Sequence, residues 1–292
     1  MDLKTFAEKV GAEGPVTVVG GRTQWDVGGA VDRSAREVRA PAGIVEFEPA
    51  EMTVRCGAGT TVAGLDAALA EHGQCVALEG ADGATVGGVL AVGRSGLRRL
   101  REGPMRDVLL EARYISAEGR AIKAGGPTVK NVSGFDLCRL LVGSLGTLGL
   151  LAQVVLRCRP LPAVSRWLAG EADPFALLNR LYRPSSLLWD GTTTWLLLEG
   201  HPADVREQSG LAGLPEVDSP PPFPTGGRLS MRPSALRALT GTFVAEIGVG
   251  VVHTAEPAPP RVLVPEVDEL NRRVKQAFDP TGRLNPGRAV AA

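Results

Sequence analysis

Aromatic residues make up only 4% of this 292-residue sequence, too few to suggest a stacking surface for single-stranded nucleic acid. An excess of either charge is also missing, because lysine plus arginine and aspartate plus glutamate balance at 32 each. A chain without net charge has no global field that attracts nucleic acid or an anionic membrane. We therefore expect no nucleic-acid partner.

Long hydrophobic runs and closely spaced metal ligands are missing as well. The longest uncharged run, residues 140–156, is shorter than the ~20 residues of a spanning helix and contains three glycines and a glutamine. The N-terminal segment has acidic residues and no apolar core, so we expect a cytoplasmic protein without a membrane span. The four cysteines form no CxxC pair and the three histidines no HxH or HExxH pair, so we expect buried, reduced thiols and no metal site.

The residues that are present predict an α+β fold, because strand and helix patterns alternate without a regular βαβ rhythm. Pro160 and Pro162 interrupt the pattern and predict two domains, residues 1–162 and 163–292. We predict helices at 3–10, 61–73, 174–183 and 264–279. We predict strands at 16–19, 45–56 (a hairpin with one face of each strand buried), 107–116, 121 onward, 151–156, 192–200 and 243–254. Residues 80–96 are so rich in glycine that we expect no regular element there.

Three glycine-rich loops are the strongest functional signal. They read VVGGRTQWDVGG (18–29), GADGATVGGVLAVGRSG (80–96) and KNVSGFDLCRLLVGSLGTLG (130–149). The first does not match GxGxxG and no apolar helical stripe follows it, which argues against a Rossmann loop, and no Walker sequence occurs. Separated glycine loops can still hold an anion, because a missing Cβ lets backbone N–H groups approach it closely.

The order of these segments resembles the FAD-binding domain of the vanillyl-alcohol oxidase and p-cresol methylhydroxylase type. The similarity covers about residues 15–162 and includes CGAGTTVAGLDAALAEHG and GPMRDVLLEARYISAEGR, with FDPTGRLNPGR (278–288) as the closing motif that returns to the flavin. The resemblance implies a two-part FAD-binding domain with a small α+β cap. The short C-terminal part and the KNxxGFDL segment most resemble the smaller FAD-binding subunit of bacterial glycolate oxidase.

The resemblance also implies which residues contact FAD. The first loop would hold the pyrophosphate, the second would follow the phosphates and the isoalloxazine, the third would seat the adenine and ribose end, and Asp107 would support loops. The implied contacts are Gly20, Gly21, Arg22, Thr23, Thr85, Gly87, Gly88, Gly93, Ser95, Gly96, Gly143, Ser144, Gly146, Thr147, Leu148 and Asn285. Arg22 stands where many relatives have glycine, and its side chain either points outward or contacts phosphate.

Members of the family that bind FAD covalently use a histidine in the first loop or a cysteine in the second, and this sequence has neither. We therefore expect non-covalent FAD. Among the histidines, His72 and His201 are expected to face solvent. The resemblance implies that His253 lies on a strand that lines the substrate face in larger relatives, which makes it the candidate base. Arg283 and Arg288 are either a clamp for a substrate carboxylate or structural residues.

The resemblance implies an FAD-dependent oxidoreductase subunit of a glycolate or D-lactate dehydrogenase complex. Its partners would be a larger homologous FAD-binding subunit and an iron–sulfur subunit, and the complex would be cytoplasmic or attached to the inner membrane. The small cap with few histidines favours a second interpretation, an FAD-binding electron-relay or assembly subunit without substrate turnover of its own. A third, the enolpyruvyl reductase of cell-wall synthesis, lacks support because no nicotinamide motif is present.

Overall fold

A computed structural model describes residues 1–127, 135–259 and 263–289. The predicted motif residues 130–134 lie outside them. The helices are α1 (Leu3–Val10), α2 (Val62–Ala70), α3 (Val86–Val92), α4 (Arg99–Glu102), α5 (Leu137–Leu141), α6 (Pro174–Arg180), α7 (Pro202–Ala212) and α8 (Pro265–Phe278). The strands are β1 (Val16–Val18), β2 (Arg36–Val38), β3 (Ile44–Glu48), β4 (Thr53–Gly57), β5 (Gln74–Cys75), β6 (Leu109–Ile115), β7 (Ala121–Gly125), β8 (Leu150–Arg157), β9 (Arg159–Pro160), β10 (Val164–Glu171), β11 (Ser186–Trp189), β12 (Thr193–Gly200), β13 (Glu216–Val217), β14 (Gly227–Ser230), β15 (Phe243–Glu246) and β16 (Val251–Thr254).

The chain divides into two compact units. The first consists of Met1–Gly96, Pro104–Pro160 and Arg261–Ala292, and the second of Leu97–Gly103 and Leu161–Pro260. This division differs from the sequence-based one in three segments, because residues 97–103 and 161–162 join the second unit and residues 261–292 join the first. The C-terminal segment joins the first unit because Val274 and Phe278 pack against its hydrophobic core.

The first unit is built on a five-stranded antiparallel sheet in the order β3-β4-β8-β6-β7. Helices α2 and α3 bury Leu65, Leu69 and Leu90 in the core on one side of the sheet, and α1 buries Phe6 and Val10 in a second cluster. The separate pair β1 and β2 is parallel.

Two sequence expectations in this unit are wrong. Strand β3 does not have a buried face, because it is an edge strand whose Ile44 and Val45 are 39% and 56% exposed. Residues 86–92 form a helix although 80–96 was expected to be irregular. Thr85 caps this helix by accepting from the backbone N–H of Gly88, and burial of Val86, Val89 and Leu90 compensates for the low helix propensity of two glycines.

The second unit contains a seven-stranded sheet in the order β13-β10-β12-β11-β15-β16-β14 with antiparallel neighbours. The segment 243–254, predicted as one strand, is a hairpin of β15 and β16, because Gly248 and Gly250 adopt φ of +80° and +83° and turn the chain. Strands β10 and β11 and helix α7 were not predicted. His201 caps the start of helix α7, where its ring Nδ1 accepts from Ala203 N.

Candidate functional site

Two adjoining clefts lie in the first unit. They share six lining residues, which come from β1 and the loop after it, from α3 with its cap, and from the C-terminal segment: Val18, Gly20, Thr85, Gly88, Ala91 and Asn285. Three segments far apart in sequence therefore form one continuous site.

The first glycine loop begins where the pairing of β1 with its neighbours ends. Val19 N still donates to Val38 O at 2.9 Å. Within the described part of the chain, the next four backbone N–H groups, those of residues 20–23, donate to no protein acceptor. Consecutive unsatisfied N–H groups beside a cleft are what an anion-binding loop offers.

Arg22 keeps a backbone conformation that suits glycine, with φ of +57°. Its guanidinium lies 2.5 Å from Glu37 and stacks over the Trp25 ring, with Cζ 4.9 Å from the ring centroid. Half of its side chain is exposed. This geometry favours the alternative in which the Arg22 side chain points outward and does not contact phosphate. The backbone N–H of Arg22 is still one of the four N–H groups of the loop.

The second loop approaches the first through Thr85. A Cβ on Gly87 would lie 2.8 Å from that of Ala58, so α3 packs too closely there for a side chain. Gly93, which ends α3 with φ of +69°, packs in the same way against Gly143. Ser95 accepts from Met105 N, and Gly96 lies against Glu79. Of the predicted residues of this loop, Thr85, Gly87 and Gly88 line the clefts and Gly93, Ser95 and Gly96 do not.

The third loop is fixed to α3 by backbone hydrogen bonds from Gly143 N to Leu90 O and from Leu145 N to Ala91 O. Its hydroxyl groups serve the turn itself, since the hydroxyl of Ser144 donates to Leu141 O and that of Thr147 to Ser144 O. Ser144 and Gly146 line the second cleft, whereas Gly143, Thr147 and Leu148 line neither. Asp107 pairs with Arg139 at 2.8 Å, a contact that fits the expected supporting role.

The closing motif brings Asn285 to both clefts. Its amide Nδ2 donates to Leu145 O, its Oδ1 accepts from the Thr17 hydroxyl, and its N donates to Val16 O. These bonds tie the C-terminal segment to β1 and to the third loop. The side chain of Asn285 is thereby held by protein groups on both of its polar atoms.

Arg283 and Arg288, predicted together, have different surroundings. Arg283 is 5% exposed, and its five N–H donors are directed at backbone oxygens of residues 10, 11, 13, 14 and 117. This geometry favours the structural alternative over a substrate clamp. Arg288 lines the first cleft, stacks over Trp25 at 4.9 Å and donates through Nη1 to Val27 O and Gly29 O. Burial lowers the pKa of Arg288, and the nearby Asp26 opposes that shift.

His253 lies on β16 in the second unit. Its Nε2 is 3.0 Å from the carboxylate of Glu246, which is 4% exposed, and the Phe223 ring packs on it at 4.7 Å between centroids. In the tautomer that carries its proton on Nε2, the ring donates to Glu246 and Nδ1 is left as an acceptor. His72 and His201 are exposed as predicted.

Sequence reasoning missed two lining residues that hold the site together. Trp25 lies in the first loop and is one of four tryptophans, and Thr17 is the polar residue in the otherwise apolar run Val16–Val19. A tryptophan within a glycine-rich loop and a threonine within an apolar run can both be recognised in the sequence. Over the described ranges, no cluster of three or more histidine, cysteine, aspartate or glutamate residues could bind a metal. The helices within those ranges are all too short or too polar to cross a membrane.

Solved structures support the fold. A chain of alkyldihydroxyacetonephosphate synthase superposes on 97% of this chain and 72% of its own length, with a TM-score of 0.68 and 13% identity. The Bermuda grass isoallergen BG60 covers 72% of this chain and 47% of its own, with a TM-score of 0.55 and 14% identity. At these identities the likeness shows the fold alone.

Curated proteins give closer sequence similarity. Glycolate oxidase subunit GlcE of Escherichia coli is 31% identical over 225 residues, which are 74% of this chain and 64% of that protein. D-lactate dehydrogenase of Archaeoglobus fulgidus is 41% identical over 149 residues, 50% of this chain and 33% of that one. Glycolate oxidase subunit GlcD of Bacillus subtilis is 38% identical over 84 residues, which are 29% of this chain and 18% of that protein. The chain thus matches less than two thirds of the length of each relative.

Two family models match the chain. The FAD binding domain model matches residues 4–125, and the model of the C-terminal domain of FAD linked oxidases matches residues 234–289. The first match contains the first two glycine loops, and the second contains the closing motif that reaches the clefts. The chain therefore contains an FAD binding domain and the C-terminal domain of FAD linked oxidases, and FAD is its cofactor.

Proposed function

We propose that this chain binds FAD non-covalently and acts as the FAD-binding subunit of a complex that oxidises a small 2-hydroxy acid, glycolate or D-lactate. The observation that carries the proposal is the similarity to a glycolate oxidase subunit over 74% of this chain. Similarity to a D-lactate dehydrogenase over half of the chain supports the same substrate class.

The clefts of the first unit suit FAD. A Cβ on Gly21 would lie 1.9 Å from Gly83 O and one on Gly146 would lie 2.7 Å from the Asn285 amide, so neither glycine leaves room for a side chain. The N–H groups of residues 20–23 would meet the pyrophosphate, and Thr85, Gly87, Gly88, Ser144 and Gly146 would follow the rest of the molecule. No histidine lies within 18–29 and no cysteine within 80–96, which supports non-covalent binding.

When bound, FAD supplies a two-electron acceptor for oxidation at carbon. For the proton acceptor we propose His253, whose Nδ1 can accept a proton when Nε2 donates to Glu246. In that tautomer Glu246 would orient the ring, as a carboxylate does for a catalytic histidine. The electrons would leave toward partner subunits, a larger homologous flavoprotein and an iron–sulfur protein, in the cytoplasm or at the inner membrane.

A second function is favoured by the surroundings of Arg283. Its donors all go to backbone carbonyl groups, so they do not serve a substrate carboxylate in this arrangement. The chain would then bind FAD and relay electrons or support assembly, with substrate oxidised on the larger subunit.

Anaerobic mixing experiments separate the two. The FAD-loaded chain is mixed with glycolate or D-lactate, first alone and then with its partner subunits, and flavin absorbance is followed by stopped flow. Bleaching of the isolated chain supports substrate oxidation here and contradicts the relay function. Flavin that stays oxidised alone but is reduced once partners are added supports the relay function. A chain that takes up no FAD contradicts both.

A further inference from the structure

Trp25 contacts two arginines, Arg22 and Arg288, each with its guanidinium carbon 4.9 Å from the ring centroid. We call these three residues the arginine–tryptophan stack. All three line the first cleft, beside the four N–H groups of residues 20–23 that lack protein acceptors in the described structure. The stack therefore adds positive charge to a wall already rich in hydrogen-bond donors.

The two arginines of the stack are not equivalent. Arg22 is neutralised by Glu37 at 2.5 Å. Arg288 uses Nη1 for two carbonyl groups, whereas its Nε and Nη2 donate to no acceptor among residues 1–127, 135–259 and 263–289. Its guanidinium is thus fixed in place by backbone and by the Trp25 ring, with one edge still available.

The anionic part of FAD is its pyrophosphate. A planar guanidinium edge with adjacent N–H groups matches two phosphate oxygens, and a pre-positioned arginine loses little side-chain entropy on binding. The substrate carboxylate is the other anion that this edge could meet. The cleft setting favours the phosphate, because the same wall supplies the N–H groups of residues 20–23.

We infer that Arg288, held by Trp25 and by the carbonyl groups of Val27 and Gly29, binds the FAD pyrophosphate through Nε and Nη2. Arg288 is therefore a cofactor-binding residue, and the pairing of Arg22 with Glu37 leaves Arg288 as the cation of this wall. The inference rests on the proposed non-covalent binding of FAD.

The test is titration of flavin-free protein with FAD and with riboflavin, which has no phosphate, followed by flavin fluorescence. Arg288→Gln is expected to weaken FAD binding by about ten- to hundredfold, the range of a charge-assisted hydrogen bond, and to leave riboflavin affinity unchanged. Arg288→Lys keeps the charge without the planar edge and should lie between. Arg22→Gln should lose less FAD affinity than Arg288→Gln. Arg120 is an exposed arginine in the turn between β6 and β7, and Arg120→Gln should bind FAD as tightly as wild type.

Melting temperatures of the flavin-free variants show whether Arg288→Gln still folds, and Arg288→Lys provides the comparison if it does not. Equal FAD affinity of wild type and Arg288→Gln overturns the inference, as does an equal loss for FAD and riboflavin. A raised KM for the hydroxy acid in the FAD-saturated complex, with FAD affinity unchanged, assigns Arg288 to the substrate instead and also overturns it. If wild-type protein binds FAD but Arg288→Gln is normal, the proposed function stands and only this inference fails.

Discussion

A β-carbon on Gly20 would lie 2.3 Å from the hydroxyl oxygen of Thr85. The loop after β1 and the cap of α3 therefore approach each other closely, and both line the two clefts. The hydroxyl of Thr85 is itself occupied as the helix cap, so it has little freedom to move away. This contact depends on the absence of a single side chain.

We expect Gly20→Ala to displace the two loops and to weaken FAD binding. Overpacking of this kind costs about 1–3 kcal/mol, and where binding must restore the loop positions, FAD affinity should fall by about 5- to 150-fold. Gly210→Ala is the matched control, because Gly210 lies in α7 with open space around it, and alanine is the better helix former there. Isothermal titration with FAD measures both variants. Normal FAD affinity in Gly20→Ala would show that the loops tolerate a wider separation.

Arg283 is expected to govern stability. Replacing it with leucine leaves buried carbonyl groups without a donor, and we expect the free energy of unfolding to fall by about 3 kcal/mol or more. Arg283→Lys should recover only part of this, since an ammonium has three donors instead of five. Urea unfolding checks both, with Arg206→Gln on exposed α7 as the control. If Arg283→Leu is as stable as wild type but binds the hydroxy acid more weakly, Arg283 binds the substrate carboxylate and its structural role is contradicted.

Glu111 should make the first unit sensitive to acid. Burial raises the pKa of its fully buried carboxyl, but hydrogen bonds from Arg55 and Lys123 outweigh that effect and lower the pKa overall. A pKa lowered by folding stabilises the protein above the carboxyl's ordinary pKa, and that contribution is lost as the pH falls through the folded value.

We expect Glu111→Gln to cost about 2 kcal/mol at pH 7 and to flatten the dependence of stability on pH below about 5. Glu46→Gln, which removes a half-exposed partner of Arg55, should cost less than about 1 kcal/mol. Denaturant unfolding between pH 3 and 7 tests this. If the free energy of unfolding changes with pH in the same way for wild type and Glu111→Gln, Glu111 is not the source of the acid sensitivity.

The cysteines should differ sharply in reactivity. Burial raises the pKa of Cys56 and of Cys158 to about 12 and that of Cys138 to about 11, so their thiolate fraction at pH 8 is very small. Cys75 is partly exposed. Iodoacetamide followed by mass spectrometry should modify Cys75 alone in native protein and all four thiols in urea. Rapid native labelling of Cys56 would mean that the core opens readily.

His253 is expected to affect substrate oxidation. If it accepts the substrate proton, His253→Gln should slow flavin reduction in the assembled complex by about 10²- to 10⁴-fold without loss of FAD. Glu246→Gln should slow it too, because the ring loses its orienting carboxylate. His201→Gln, an exposed histidine of the same unit, is the control. An unchanged rate in His253→Gln would leave the pair with Glu246 a structural contact.

The sequence by itself determined much of this protein. Local patterns gave α1, α2, the β3–β4 and β6–β7 hairpins, β8 and α8, because period-two and helical spacing depend on which residues must be buried. Glycine loops in a recognisable order gave the FAD binding domain and the cofactor, since a glycine marks where backbone must come close.

Only the tertiary structure decided what the local pattern leaves open. Burial of Val86, Val89 and Leu90 made a helix of a glycine-rich stretch, and the turn glycines Gly248 and Gly250 divided a predicted strand into a hairpin. Arg283 and Arg288 stand five residues apart in one motif and are indistinguishable in sequence. Their roles separate because one guanidinium is enclosed by backbone carbonyl groups from distant segments, while the other reaches the cleft beside Trp25.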